Sequence, residues 1–251
     1  MTVHSKHLSI SVLLIAIIQV SGCATTVVSA DEQSRSAADP WEPMNRKLYH
    51  TNTAVDTVML RPLAKGYKNI LPVPVRRGIA NFFANLLTPR SAINNFLQGK
   101  FSRGFDDIAR FFFNSSIGIG GIFDVASSGG LEVYGETFSQ TAAVWGVPEG
   151  PYLMLPVLGP RTLLDTAMLP IDILADPLLH YDNSSVRDRL YALRIIDLRA
   201  RLLTVDKFLE DSKDPYITLR ESYLQNRQFD IYDGDPPDDD SFYGEFLDDV
   251  E

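Results

Sequence analysis

Apolar residues recur at helical spacing over residues 76–113 and predict a series of amphipathic helices. The stretch 76–87 places five apolar side chains on one face, at positions i, i+3, i+4, i+7 and i+8. Pro89 predicts the end of that helix. A second helix, 90–98, is expected to stop at Gly99, and a third covers 101–113. The apolar faces are rich in phenylalanine: Phe82, Phe83, Phe96, Phe101, Phe105 and Phe112.

The C-terminal third predicts two more helices. Ser185 with Asp188 resembles a capping box, and the apolar spacing continues from there to about Leu209. Asp214 followed by Pro215 predicts another helix start, with Asp as the N-cap and Pro in the first turn. The region 132–180 is broken by prolines and glycines, and no alternating run is long enough for the strands of a β-barrel. The expected fold is therefore mainly α.

The segment "FFFNSSIGIGGIFDVASSGG", residues 111–130, is unusually apolar for a loop. Its charge-free part, Phe111–Phe123, has 13 residues, whereas a membrane span needs about 20. No transmembrane helix is expected here. Because the glycines permit sharp turns and Asp124 is the single charge, the segment is a candidate channel-lining or hinge element. Equally, Asp124 could cap a helix beside a tightly packed glycine turn. The candidate residues are Phe112, Phe113, Gly118, Gly120, Gly121 and Asp124.

The N-terminus reads as a lipoprotein signal peptide, residues 1–22. An apolar core (8–20) is followed by "VSGC", which predicts cleavage between Gly22 and Cys23. Cys23 is the only cysteine in the chain, so lipidation gives this thiol a role that a disulfide cannot. Ala24 after the cysteine favours the outer membrane. A general secretory signal with an unmodified Cys23 is the alternative.

Charge and composition divide the mature chain into three parts. Residues 23–40 are small and polar and predict a flexible tether, and 41–229 form the helical body. The tail, 230–251, holds ten acidic residues and no Lys or Arg, which predicts a disordered or peripheral segment. The chain's net charge of −9 therefore comes from the tail. Nucleic-acid binding would require a basic face, and the charge distribution does not suggest one.

Residues for catalysis or metal binding are sparse. The mature chain has two histidines, His50 and His180, and neither lies in a metal-ligand spacing. The sequence lacks a G-x-S-x-G nucleophile motif and a complete dinucleotide-binding motif. We therefore expect a protein that is not an enzyme and needs no cofactor or metal.

The Phe-rich helices allow two interpretations. A Phe stripe at helical spacing is usually core, but three such helices in a row favour contact with a membrane. Interfacial helices carry Lys and Arg on their polar face, and this region supplies them: Arg76, Arg77, Arg90, Lys100, Arg103 and Arg110.

Four motifs resemble the VacJ/MlaA family of outer-membrane lipoproteins. They are "DPWEPMNRKLY" (39–49), "RFFFNSSIGIGGIFDVA" (110–126), "GVPEGPYLMLPVLGP" (146–160) and "SKDPYITLRESYLQNRQFD" (212–230). The resemblance implies a ring of amphipathic helices with a central channel, lying in the inner leaflet of the outer membrane. It implies removal of stray phospholipid from the outer leaflet, association with a trimeric porin and transfer to a soluble periplasmic carrier. Thr51 and Thr53 stand where relatives often have aromatics.

The sequence therefore predicts a lipid-anchored protein that passes phospholipid through a channel and maintains lipid asymmetry. Two alternatives stay open. A structural lipoprotein would bridge porins without moving lipid. A periplasmic lipid hydrolase would need a catalytic side chain, for which His50 and His180 are the first candidates.

Overall fold

The computed structural model describes residues 38–237, which form mainly α-helical structure with one small sheet. The mainly α fold expected from the sequence is confirmed. Among these residues, no helix combines the length and apolar character that crossing a membrane requires. The signal peptide, Gly22, Cys23 and most of the predicted tether and tail lie outside the described residues.

The N-terminal part of the body is a long, interrupted helix. Helix α1 (Glu42–Val55) passes through one wide π-helical segment (Asp56–Leu60) into α2 (Arg61–Ile70). Leu71 is extended and Pro72 follows it, so α2 ends there. The π segment, which the sequence did not predict, widens the helix where it borders the site described below.

Helices α3 (Val73–Leu97) and α4 (Phe101–Ser116) form a hairpin closed by Gly99, whose φ of 77° favours glycine. The predicted break at Pro89 is wrong, because α3 continues through it. Side chains on both sides of the proline bind α4 and keep the two halves aligned. Asn85 Nδ2 donates to Ser115 at 2.9 Å, and Asn95 Nδ2 donates to Asp107 at 2.9 Å.

The middle region contains structure that the sequence did not predict. Strands β1 (Tyr152–Leu155) and β2 (Gly159–Thr162) pair antiparallel, with Tyr152 opposite Thr162 and Leu155 opposite Gly159. The strands have only four residues each, too few to show an alternating pattern. Three helices flank them: α5 (Val125–Ser128), α6 (Phe138–Val144) and α7 (Leu163–Leu174).

The C-terminal helices follow a 3₁₀ turn at Pro177–His180. They are α8 (Ser184–Leu202), α9 (Asp206–Glu210) and α10 (Pro215–Ile231). The predicted cap at Asp214 is confirmed, because its carboxylate accepts from the backbone N–H groups of Tyr216 and Ile217. The predicted Ser185 cap is wrong. Asn183 caps α8 instead, and the helix stops at Leu202, before Leu209.

The buried centre joins the two ends of the body through the β1–β2 hairpin. Tyr152, Met154 and Tyr216 pack together there. Asn45 donates to Tyr152 O at 3.2 Å and accepts from Met154 N at 2.9 Å, which ties α1 to β1. Asp39, also buried, pairs with Arg220 at 3.2 Å. Packed structure therefore begins before residue 41.

Candidate functional site

An open cavity of about 730 Å³ lies between α1, the π segment, the β-hairpin and the C-terminal helices. Part of its wall is aliphatic, formed by Leu60, Met154, Leu202, Val205, Leu209 and Leu219. Another part is charged, formed by Asp56, Arg61, Arg199, Asp206 and Glu210. An amphipathic ligand is the chemistry that matches these two kinds of wall.

The charged wall is a connected network of ion pairs. Arg199 binds Asp56 bidentately, Nε to Oδ1 at 2.6 Å and Nη2 to Oδ2 at 2.7 Å. Asp206 accepts from Arg199 Nη2 at 3.0 Å and from Arg61 Nε at 2.9 Å. Burial raises the pKa of the Asp206 carboxyl, but the two arginines outweigh burial and lower it overall. Asp206 is therefore ionised at neutral pH, and its ion pairs with the two arginines fix a charged patch beside the aliphatic wall.

The tip of the β-hairpin borders the same cavity and is held by Asn52. The Asn52 side chain donates to Leu155 O and accepts from Val157 N, both at 2.8 Å. Val157 adopts a φ of 65°, which is costly for a β-branched residue. The two bonds from α1 stabilise this turn. Thr53 and His50 also line the cavity, whereas Thr51 donates to Lys47 O within α1.

The 111–130 segment lies away from this cavity, against α3. Helix α4 ends at Ser116, and residues 117–123 form a compact turn. A Cβ on Gly118 would stand 2.2 Å from Phe123 O, and one on Gly121 would stand 2.5 Å from the Asn85 Cβ. Gly121 also has a φ of 91°. These two glycines are required by close packing, while Gly120 borders open space.

Asp124 is the N-cap of α5 and the centre of a polar cluster. Its carboxylate accepts from Arg110 Nη2 at 3.0 and 3.1 Å, from Asn114 Nδ2 at 3.0 Å and from Ser127 N at 3.1 Å. Burial opposes ionisation, but these donors outweigh it and lower the pKa of Asp124 to about 2. Asp124, Arg110 and Asn114 line a second cavity, of about 280 Å³.

The α3–α4 hairpin buries polar side chains and exposes apolar ones. On α4, Asp107, Arg110 and Asn114 are buried, and burial raises the pKa of Asp107. The opposite face carries Phe101, Phe105 and Phe112, which are 62–65% exposed. A surface helix in water shows the reverse arrangement, so this face is a contact surface for lipid or for another protein. Phe113 is exposed as well.

The described contacts of the two histidines are a backbone carbonyl and an aromatic ring. His180 Nε2 lies 2.7 Å from Leu174 O, and His50 packs against the ring of Tyr49. Within residues 38–237, no group of His, Cys, Asp and Glu side chains could hold a metal ion. The sequence also missed the network of the large cavity, because Asp56 and Arg199 are 143 positions apart and neither stands in a motif.

A helical body with an exposed apolar face and a cavity that is part aliphatic, part charged is typical of proteins that work in contact with lipid. The family model of the MlaA lipoprotein matches residues 37–230. The chain belongs to this family, and the resemblance seen in the sequence is confirmed.

Similar proteins cover most of the chain. The intermembrane phospholipid transport system lipoprotein MlaA of Shigella flexneri is 36% identical over 226 residues, which cover 88% of each protein. The MlaA of Haemophilus influenzae is 32% identical over 233 residues, covering 91% of this chain and 92% of that one. A solved structure described as "Structural basis for maintenance of bacterial outer membrane lipid asymmetry" matches with a TM-score of 0.68 and 38% identity, over 77% of this chain and 98% of that chain.

Proposed function

We propose that the protein is the outer-membrane lipoprotein of a phospholipid transport system. In this role it removes phospholipid that has strayed into the outer leaflet and so maintains lipid asymmetry. The names of its relatives in Shigella flexneri and Haemophilus influenzae support transport of phospholipid. The solved relative supports the role in lipid asymmetry. We propose in addition that the helices form a ring around a channel.

The large cavity carries the proposal. A phospholipid has two apolar chains and a charged headgroup, so a transport path has to offer both kinds of wall. Leu202 and Leu219 supply aliphatic surface, and Arg61 and Arg199 lie within the same cavity. Transfer down a gradient along such a path needs no cofactor and no catalytic group.

Anchoring and partners complete the proposed role. Acylation of Cys23, after cleavage behind Gly22, would hold the chain at the periplasmic face of the outer membrane. The exposed Phe face of α4 supports contact with the inner leaflet or with a trimeric porin. A soluble periplasmic carrier would receive the lipid. We further propose that the 111–130 segment is a fixed element rather than a hinge, because Gly118, Gly121 and Asp124 are tightly held.

A charged substitution in the cavity tests this function. Leu202→Asp places a carboxylate on the aliphatic wall, where it would repel acyl chains. In a deletion strain, we expect this variant to leave phospholipid in the outer leaflet, measured with an outer-leaflet acyltransferase reporter. It should also co-purify with less phospholipid, measured by mass spectrometry.

Leu198→Asp is the matched control. Leu198 lies one turn earlier on α8 and is 51% exposed against 48% for Leu202, but it does not line the cavity. We expect Leu198→Asp to restore the wild-type level of outer-leaflet phospholipid in the deletion strain. Full complementation by Leu202→Asp, or a wild-type signal in the deletion strain itself, would contradict the proposal. Porin co-purification without bound phospholipid would instead support a structural lipoprotein.

A further inference from the structure

One long stretch of the chain contains no acidic residue. The chain has 32 Asp and Glu, yet none lies between Thr57 and Phe105. The same stretch holds eight basic residues: Arg61, Lys65, Lys68, Arg76, Arg77, Arg90, Lys100 and Arg103. Any partner for these cations has to come from elsewhere in the fold or from another molecule.

Half of these cations are neutralised inside the protein. Arg61 pairs with Asp206 and Glu210, and Arg90 pairs with Asp172. Lys100 and Arg103 share Asp233. The other four make no ion pair within residues 38–237: Lys65, Lys68, Arg76 and Arg77.

These four cations lie on either side of the bend between α2 and α3, which we call the basic corner (residues 65–77). Two belong to the last turns of α2, and two to the first two turns of α3. Between them, Ile70 is 79% exposed and Val73 and Val75 are about half exposed. Pro72 and Pro74 stiffen this aliphatic tip. The corner therefore presents apolar side chains framed by unneutralised charges.

A third side of the corner is basic as well. Arg201 projects from α8 and, with Arg76 and Arg77, borders a mostly apolar hollow of about 130 Å³ beside Val73. Asp197, which contacts Arg201 at 3.3 Å, is the one acid there. Three arginines and one carboxylate thus border this hollow, so the charge around it is positive, although the body as a whole is near neutral.

We propose that the basic corner binds the surface of a bilayer that contains anionic phospholipid. The interface of such a bilayer offers an apolar layer for the aliphatic tip and phosphates for the cations around it. An acidic protein surface would neutralise the cations but leave Ile70 and Val73 in water. This contact is separate from the large cavity, and it adds a preference for anionic lipid to the proposed transport role.

A fluorescent label on the tip tests the proposal in the full, acylated chain. Because Cys23 is the only cysteine, Ile70→Cys supplies the one free thiol once acylation is verified by intact mass. The labelled protein is reconstituted in vesicles of phosphatidylcholine, with or without phosphatidylglycerol. We expect phosphatidylglycerol to shift the label's emission to shorter wavelength, and salt to reverse the shift because the charges are exposed.

Arg76→Gln with Arg77→Gln should abolish most of that shift. Each cation near an anionic surface contributes about a fivefold factor to binding, so two contribute about 30-fold. Arg187→Gln with Arg189→Gln, at the start of α8, removes the same charge elsewhere and should leave the shift intact. The proposal is overturned by a shift independent of phosphatidylglycerol, by a shift that survives in the Arg76/Arg77 variant, or by an equal loss in the control. Labelling of the unsubstituted chain gives the background.

Discussion

At the scale of residues, the carboxylate of Asp124 connects three parts of the 110–131 segment. It caps α5, receives two hydrogen bonds from Arg110 on α4, and receives one from Asn114. Only 6% of the Arg110 side chain is exposed, so its charge depends on this partner. Removal of one member of such a pair leaves the other charge desolvated and unpaired.

We predict that Asp124→Asn lowers the free energy of unfolding by about 2–3 kcal/mol. The loss follows from the uncompensated guanidinium of Arg110, and chemical denaturation in detergent micelles measures it. Asp188→Asn is the control, because Asp188 forms an exposed pair with Arg187 and should cost less than about 1 kcal/mol. Equal effects of the two substitutions would contradict the structural role of Asp124.

The Asp124–Arg110 pair also makes the stability of the fold depend on pH. In the folded protein the pKa of Asp124 is lowered from 3.8 to about 2. Ionised Asp124 therefore stabilises the fold fully above pH 4, and this stabilisation is lost as the pH falls toward 2. The difference in stability between the wild type and Asp124→Asn should be constant near neutrality and shrink over that acidic range. A difference that grows on acidification would have the wrong sign.

At the scale of elements, the α3–α4 hairpin reverses the usual placement of polar and apolar side chains. Its polar contacts are internal, such as Asn85 with Ser115 and Asn95 with Asp107. The phenylalanines of α4 are exposed, and Phe105 packs against Phe96 of α3 at 5.3 Å, whereas Phe83 of α3 is buried. Hydrogen bonds can hold two helices together when both faces are in an apolar environment. The hairpin is therefore suited to contact with acyl chains.

We predict that a photo-crosslinker in place of Phe105 captures phospholipid in intact cells. Phe105 is 64% exposed on the apolar face of α4, so an acyl chain should lie within its reach. Mass spectrometry of the purified adduct identifies what is captured. The same crosslinker in place of Tyr181, which is 50% exposed beside polar Asp182 and Asn183, should capture no lipid. Capture of a porin alone at Phe105 would show that protein covers this face.

Two helix boundaries were predicted correctly from local information, although the Ser185 cap, also a local prediction, was wrong. Asp214 and Gly99 mark helix ends through bonds or backbone angles within a few residues, and both predictions are confirmed. Pro89 was misread because the contacts that carry α3 through it come from α4. The ion-pair network of the large cavity was missed for the same reason, because Asp56, Arg199 and the β1–β2 hairpin come together only after folding. Interactions distant in sequence left no local pattern.

At the scale of the whole molecule, ion pairs join the beginning and the end of the body around the large cavity. Asp56 lies in the N-terminal helical segment, and Arg199 and Asp206 belong to α8 and α9. Arg46 on α1 similarly binds Asp214 at the start of α10. The cavity wall is thus closed by contacts between distant parts of the chain, which couples the shape of the cavity to the stability of the fold.

We predict that Arg199→Gln lowers the free energy of unfolding by about 2–3 kcal/mol, because it leaves Asp56 and Asp206 close together with one cation fewer. Arg189→Gln, an exposed site on the same helix, should change it by less than about 0.5 kcal/mol. A double-mutant cycle with Asp56→Asn isolates the pair, and we expect a coupling of about 1–2 kcal/mol. If the effects of Arg199→Gln and Asp56→Asn on the free energy of unfolding were additive, the Arg199–Asp56 pair would not stabilise the cavity wall. Since the network lines the cavity, Arg199→Gln should also reduce co-purified phospholipid, whereas Arg189→Gln should not.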